Sequence, residues 1–128
     1  MGTGTELGRV RGLGAAHEGT HHWWRQRLTA GSNLFVMLWL VFSLARQPTF
    51  DYPSLHAWLQ SGWVAIPMAL LVVSVFTHFR LGLQVVIEDY QHNESRVVLM
   101  VLLNLFTIGM AAIALFSIAK IAFSGAPA

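Results

Sequence analysis

Cysteine is absent from the 128 residues of this chain, and charged residues make up only 11% of it. Without a thiol the chain can form no disulfide, no thiolate nucleophile, no zinc–thiolate site and no cysteine-ligated iron–sulfur cluster. Soluble domains carry about 25% charged residues, so this chain has too few to cover a water-facing surface. Any redox role must therefore use a cofactor that other atoms hold.

A strong charge of either sign is also missing. The formal net charge is +2, and the basic residues form no patch interleaved with aromatic residues. We therefore expect no nucleic-acid partner. The length allows one domain, which leaves no room for a large catalytic fold beside membrane segments.

Apolar residues are abundant, at 55% of the chain with a mean hydropathy of +0.55. They form three runs, at about residues 28–45, 62–87 and 97–123, each near or above the ~20 residues with which a helix crosses a bilayer. Length and the absence of alternating polarity favour helices over strands. We predict an all-α integral membrane fold with an N-terminal segment at 1–27, a three-helix anchor domain at 28–123 and a short tail at 124–128. Residues 21–24, with two tryptophans, are expected to anchor the N-terminal segment at the membrane–water interface.

The bias of Lys and Arg among the short connections predicts the orientation of the helices. Residues 47–61 contain neither, with Arg46 at their edge, and Lys120 near the C-terminus is a minor opposing signal. The basic residues on the other side are Arg9, Arg11, Arg25, Arg27 and Arg96. We expect the N-terminus and residues 89–96 to face the cytoplasm and the C-terminus to face the periplasm. The N-terminal segment is short for a transit peptide, which favours a bacterial cytoplasmic membrane over a mitochondrial one.

One histidine, His78, lies deep in the second run. Ionisable side chains inside a membrane are costly, so each is a candidate functional residue. On a helix, Asp89 is rotated from His78 by only about 20° and lies about 16 Å further along the axis. Gly82 lies on the same stripe, and its bare backbone would let a flat macrocycle approach. Arg80 points to nearly the opposite side, toward the interface or an acidic group.

Plainer interpretations of the same residues stay open at this point. In one of them His78 simply hydrogen-bonds across helices, which contributes about 1 kcal/mol. Gly82 then serves close helix packing, and Asp89-Tyr90 forms an ordinary interfacial helix end. Spacing alone does not decide between these interpretations and haem or quinone chemistry. A zinc site is not expected, because no second His, Asp or Glu lies one turn away at that depth.

The remaining histidines lie outside the three runs or at their edges: His17, His21, His22, His56 and His92. Haem iron is commonly held by histidine. If His78 is an axial ligand, this chain offers no second one at the same depth. A bis-histidine haem would then need a ligand from another chain and would lie at an interface.

The motif His78-x3-Gly82-x6-Asp89-Tyr90, late in the second of three runs, resembles the small hydrophobic membrane-anchor subunit of succinate dehydrogenase, complex II. Residues 82–90 are similar to its alphaproteobacterial and mitochondrial branch. Residues 19–30 resemble the segment before the family's first helix. The resemblance covers the chain from about residue 12 to residue 123.

That resemblance implies a set of site residues. His78 would bind the iron of haem b as one of its axial ligands, and Gly82 would lie next to the haem. Tyr90 would donate a hydrogen bond to ubiquinone, and Asp89 would tune that site or relay protons. Arg27 would pair with a haem propionate. His21 matches a histidine near the haem, although the adjacent His22 makes this assignment ambiguous.

The resemblance also implies partners and a role. A cytochrome b-type anchor subunit would supply the second haem ligand and complete a helical bundle in the lipid bilayer. An iron–sulfur subunit and a flavoprotein subunit would dock on the cytoplasmic side. The chain would then anchor a succinate:ubiquinone oxidoreductase of the tricarboxylic acid cycle and respiratory chain, with no catalytic residue for succinate oxidation of its own. The alternatives are the anchor of a quinol:fumarate reductase and, ranked below it, a small proton-coupled transporter or an assembly protein.

Overall fold

Long helices account for almost all of the chain that the structure, a computed structural model, describes, namely residues 5–7 and 19–124. The helices are α1 (Gly19–Ala45), α2 (Tyr52–Gln60), α3 (Gly62–Tyr90) and α4 (Glu94–Phe123). All but α2 are long and apolar enough to cross a membrane. This confirms the predicted all-helical fold with three candidate spans. Arg9, Arg11, His17 and the tail beyond residue 124 lie outside the described residues.

Helix α1 begins at Gly19, nine residues before the first apolar run. Polar residues interrupt an apolar run, but they do not by themselves end a helix. No proline, which would break the helix, lies between residues 19 and 45. The segment at 21–24 therefore forms part of the first two turns of α1. Its two indoles, Trp23 and Trp24, meet edge to face with ring centroids 5.2 Å apart. Both are exposed, as suits an anchor at the membrane–water interface.

A short helix, α2, lies within the connection 47–61, where the sequence predicts only a loop. Asp51 occupies its N-cap position and Pro53 lies in its first turn, where a missing N–H costs nothing. The hydroxyls of Thr49 and Ser54 hold the pKa of the Asp51 carboxyl below its ordinary value. Trp58 Nε1 donates to Ser43 Oγ at 3.1 Å, which ties α2 to the end of α1.

Helix α3 lies between α1 and α4 and contacts both, whereas within the described residues α1 and α4 do not contact each other. We define two interfaces by their side chains. The α1–α3 seam contains Gln26, Thr29, Ser74, His78 and Gly82. The α3–α4 seam contains Phe79, Arg80, Asn104 and Phe106. Only residues 91–93 connect α3 to α4, so these two helices run antiparallel.

Few described side chains are buried, and most of these belong to α3. They are Val64, Ala65, Leu71, Leu81 and Ile87 on α3, with Leu103 and Thr107 on α4. Large apolar side chains instead cover the outer faces, among them Leu28, Phe35, Phe42, Phe116 and Phe123. An apolar surface of this extent suits lipid or a partner subunit. The long helices therefore form an open layer centred on α3.

Candidate cofactor site

A cavity of about 640 Å³ lies in the α1–α3 seam. Its lining residues are His22, Trp23, Gln26, Arg27 and Ala30 from α1, with His78, Gly82 and Val85 from α3. The sequence predicts that His78 and Gly82 share one stripe of their helix, and the structure confirms that both face this cavity. Its volume lies within the range of small-molecule and cofactor sites.

His78 is held from the opposite helix by Thr29. The His78 Nδ1 and Thr29 Oγ1 atoms lie 3.0 Å apart. The same hydroxyl donates to the Arg25 carbonyl oxygen at 2.8 Å and also lies 3.2 Å from the Gln26 carbonyl oxygen. This backbone bond, four residues back along the helix, is a common arrangement for threonine in a membrane span. Within the described residues, the contact with Thr29 is the only hydrogen bond of the imidazole ring.

Two further residues of α1 face the cavity beyond the His78–Thr29 pair. A Cβ added to Gly82 would lie 3.6 Å from Gln26 Nε2, so these two residues face each other. His22 precedes Thr29 by seven residues, or about 10 Å along the helix axis. His22 is therefore well separated from the level of His78, although both line one cavity.

Unpartnered polar atoms are concentrated on the same face of α1. His22 Nε2, Gln26 Oε1 and Asn33 Oδ1 are buried and have no hydrogen-bond partner among the described residues. Buried polar atoms in native proteins nearly always have one, and leaving one without costs about 1–3 kcal/mol. Two of the three residues, His22 and Gln26, line the cavity. The cavity therefore has unmet hydrogen-bonding capacity along the wall formed by α1.

Arg27 provides the positive charge at this site. It lines the cavity, and its guanidinium carbon lies 5.4 Å from the centroid of the Trp23 ring, a cation–π contact that orients the side chain. The neighbouring histidines differ in placement. His22 lines the cavity, whereas His21 is exposed and does not. The helix rotation thus brings His22, rather than His21, to the cavity beside Arg27.

Asp89 and Tyr90 lie outside the cavity, at the end of α3. Both are exposed, Tyr90 to 79%, and neither side chain has a hydrogen bond within the described residues. Beside them, Glu88 accepts from Gln84 Nε2 at 3.0 Å and lies 3.5 Å from Arg96 on α4. This bridge links the two helices next to their connecting turn. The two residues predicted to bind quinone therefore lie exposed at the C-terminal end of α3.

Arg80 has a different partner from the one that the sequence predicts. Its Nε donates to Asn104 Oδ1 on α4 and not to a carboxylate. Asn104 is ten residues from the start of α4 and Arg80 is ten residues from the end of α3. Both are therefore roughly 15 Å from the ends of their helices. An amide rather than an acid satisfies this charge.

Sequence reasoning missed three residues of the site: His22 as the inward histidine, Gln26 and Thr29. The sequence does contain a pattern that groups these three residues. His22, Gln26, Thr29 and Asn33 follow one another at intervals of four, three and four residues, which places them on one face of a helix. The first apolar run begins only at residue 28, so half of this stripe falls outside it.

Comparison with known proteins identifies the family. The profile of the succinate dehydrogenase/fumarate reductase transmembrane subunit family matches residues 1–117. The chain belongs to this family. It is 34% identical over 104 residues to the succinate dehydrogenase hydrophobic membrane anchor subunit of Rickettsia bellii, covering 80% of this chain and 83% of the relative. The subunit of that name from Paracoccus denitrificans is 27% identical over 111 residues, covering 87% and 86%. No solved structure matches the chain.

For this member of the succinate dehydrogenase/fumarate reductase transmembrane subunit family, the donor set fits a haem of b type. The cavity offers one imidazole at depth, an arginine on α1 and a glycine on α3. Among the described residues there is no group of three or more His, Cys, Asp or Glu side chains that could hold a metal ion. A haem needs only one or two axial ligands, and its propionates would find donors among Arg27, His22 and Gln26.

Proposed function

We propose that this chain, a membrane anchor subunit of succinate dehydrogenase, shares haem b and the ubiquinone site with a cytochrome b-type anchor subunit. The whole complex would then act as a succinate:ubiquinone oxidoreductase. The cavity in the α1–α3 seam, with His78 at its deep end, is the observation that carries the proposal. The relatives' names favour succinate dehydrogenase over the fumarate reductase alternative. Unlike helices without an internal repeat argue against a small transporter.

His78 would bind the haem iron, which carries single electrons between its ferrous and ferric states when bound. Arg27 and His22 would hold the propionates, since a guanidinium group and an imidazole line that end of the cavity, and Gln26 Nε2, which faces Gly82, would be a further donor. His22 lies about 10 Å from the level of His78 along the axis, too far for a second axial ligand. The partner anchor subunit would therefore supply that ligand and close the open side of the seam.

Tyr90 would donate its hydroxyl proton in a hydrogen bond to a quinone carbonyl oxygen, and Asp89 would tune that site. Both stand at the same end of the chain's spans as Arg27 and Arg96. By the excess of basic residues there, this end would face the cytoplasm, with the C-terminus in the periplasm. Electrons from a cytoplasmic iron–sulfur subunit would then reach the quinone at the cytoplasmic side of the membrane. The flavoprotein subunit, docked beyond it, would hold the succinate site, and the membrane would be the bacterial cytoplasmic membrane.

His78→Ala in the intact complex tests the haem proposal. We expect the b-type signal in a pyridine haemochrome assay to be lost, or the haem to become high-spin, because the iron loses an axial ligand. His56→Ala on α2, outside the cavity, is the matched control and should leave the signal unchanged. A full low-spin haem b signal in the His78 variant would overturn the proposal.

Tyr90→Phe tests the quinone proposal separately. The change removes one hydroxyl, and a hydrogen bond of about 1–1.5 kcal/mol corresponds to a roughly tenfold fall in quinone reductase kcat/KM. Succinate oxidation with an artificial acceptor should be unchanged. Tyr52→Phe changes the chain's other tyrosine, on α2, and should alter neither activity. Equal loss of both activities in the Tyr90 variant would show a structural role instead.

A further inference from the structure

We propose that Thr29 is a positioning residue that fixes the tautomer of His78, so that Nε2 is the ring nitrogen presented to the cofactor. The inference rests on the proposed haem function and adds the residue that sets the ligand's chemistry. It follows from the positions of protons around one hydroxyl group, and each step can be stated from the distances.

The Thr29 hydroxyl carries a single proton. Its oxygen lies 2.8 Å from the Arg25 carbonyl oxygen, and a carbonyl has no proton to offer. Two oxygens at that distance repel unless a proton lies between them, so the hydroxyl proton points at the backbone. The Gln26 carbonyl oxygen, at 3.2 Å, is a second backbone acceptor that reinforces this orientation.

The 3.0 Å contact between Thr29 Oγ1 and His78 Nδ1 must then contain a proton from the ring. The hydroxyl oxygen accepts, and Nδ1–H donates. A neutral imidazole has one protonated nitrogen, so Nε2 retains its lone pair. Since His78 lines the cavity and its ring has no other hydrogen bond within the described residues, Nε2 is the nitrogen available for a metal.

The hydrogen bond also affects how strongly the ring donates electrons. Metal-bound histidines nearly always donate their second N–H to an acceptor, which fixes the ring and raises its basicity. A more basic axial ligand stabilises ferric over ferrous haem and lowers the midpoint potential. Thr29 would therefore tune the haem, as well as orient its ligand, from a helix that supplies no axial ligand itself.

Redox titration and low-spin electron paramagnetic resonance of the intact complex test this inference. In Thr29→Val, which keeps the side-chain shape and removes the hydroxyl, we expect haem b to remain bound with a more positive midpoint potential and a shifted low-spin signal. Thr29→Ser keeps the hydroxyl and should retain the wild-type values. Thr107→Val removes another hydroxyl bonded to its own helix, on α4, and should change neither measurement.

A wild-type potential and spectrum in Thr29→Val would overturn the inference. A shift of equal size in Thr29→Ser or Thr107→Val would overturn it too, because the hydroxyl at this position would not be the cause. If the valine variant fails to assemble, Thr29→Ala removes the same group from a smaller side chain and is judged by the same criterion. Failure of the haem proposal is distinguished by His78→Ala, which would then retain a wild-type haem.

Discussion

The two faces of α3 differ in whether their polar side chains find partners within the chain. On the α3–α4 seam, Arg80 meets Asn104, and the rings of Phe79 and Phe106 pack with centroids 6.3 Å apart. On the α1–α3 seam a cavity of about 640 Å³ remains, and two polar atoms in its wall have no partner in the part of the chain that the structure describes. One seam pairs its charge within the chain. The other leaves polar atoms of its wall without partners among the described residues, and this difference supports placing the proposed haem there.

Filling the α1–α3 seam should have the largest effect. In Gly82→Leu, a side chain would start 3.6 Å from Gln26 Nε2 and extend into the cavity, so we expect most haem b to be lost from the assembled complex. Gly82→Ala should retain it, since 3.6 Å is an ordinary contact distance. Haem content per complex, by pyridine haemochrome, measures both.

Gly109→Leu on α4 is the control for a bulky residue at a helical glycine, because a Cβ added there would meet nothing within 4 Å. It should leave the haem content unchanged. Full haem content in Gly82→Leu would mean that the cavity is not the haem site, and the contrast between the two seams would lose its functional meaning.

Breaking the α3–α4 seam should have a smaller effect of a different kind. Asn104→Leu leaves the Arg80 guanidinium without its acceptor in the α3–α4 seam, which should lower stability by about 1–3 kcal/mol. The haem spectrum should not change, because Arg80 faces away from the cavity. Thermal dissociation of the detergent-solubilised complex, followed beside the haem absorbance, separates the two readouts.

The double variant Arg80→Met with Asn104→Leu sharpens that comparison. Removing both partners replaces a polar pair by apolar side chains, which is often neutral or stabilising. We therefore expect the double variant to recover most of the stability that Asn104→Leu loses. A double variant as unstable as the single one would show that Asn104 acts through packing instead of through its bond to Arg80.

The sequence predicts the three long helices well, because a run of apolar residues long enough to cross a bilayer has few other structures available. It also places His78 and Gly82 on one face, since helical periodicity is a property of a single segment. The residues that lie opposite them on another helix are harder to predict from the sequence. Whether Thr29 or Asn33 meets His78 depends on the relative height and rotation of two helices, which periodicity within either helix does not contain.

The ambiguity between His21 and His22 has the same origin. Their directions differ by about 100°, so the two side chains cannot both point straight at the cavity. Deciding between them requires knowing that the helix already runs through this segment, and the hydropathy signal begins several residues later. Helix α2 was not predicted because a helix of nine residues is too short to span a membrane. Its polar and apolar residues are also too mixed to show a clear helical periodicity.

The position of α3 in the chain has a consequence for how the protein is made. Chains are synthesised from the N-terminus, so α1 enters the membrane before α3 exists. Among the described long helices, α1 contacts α3 alone. Until that helix arrives, Gln26, Thr29 and Asn33 have no other helix of the same chain to cover them. The cavity in the α1–α3 seam can therefore form only after α3 has been synthesised and has packed against α1.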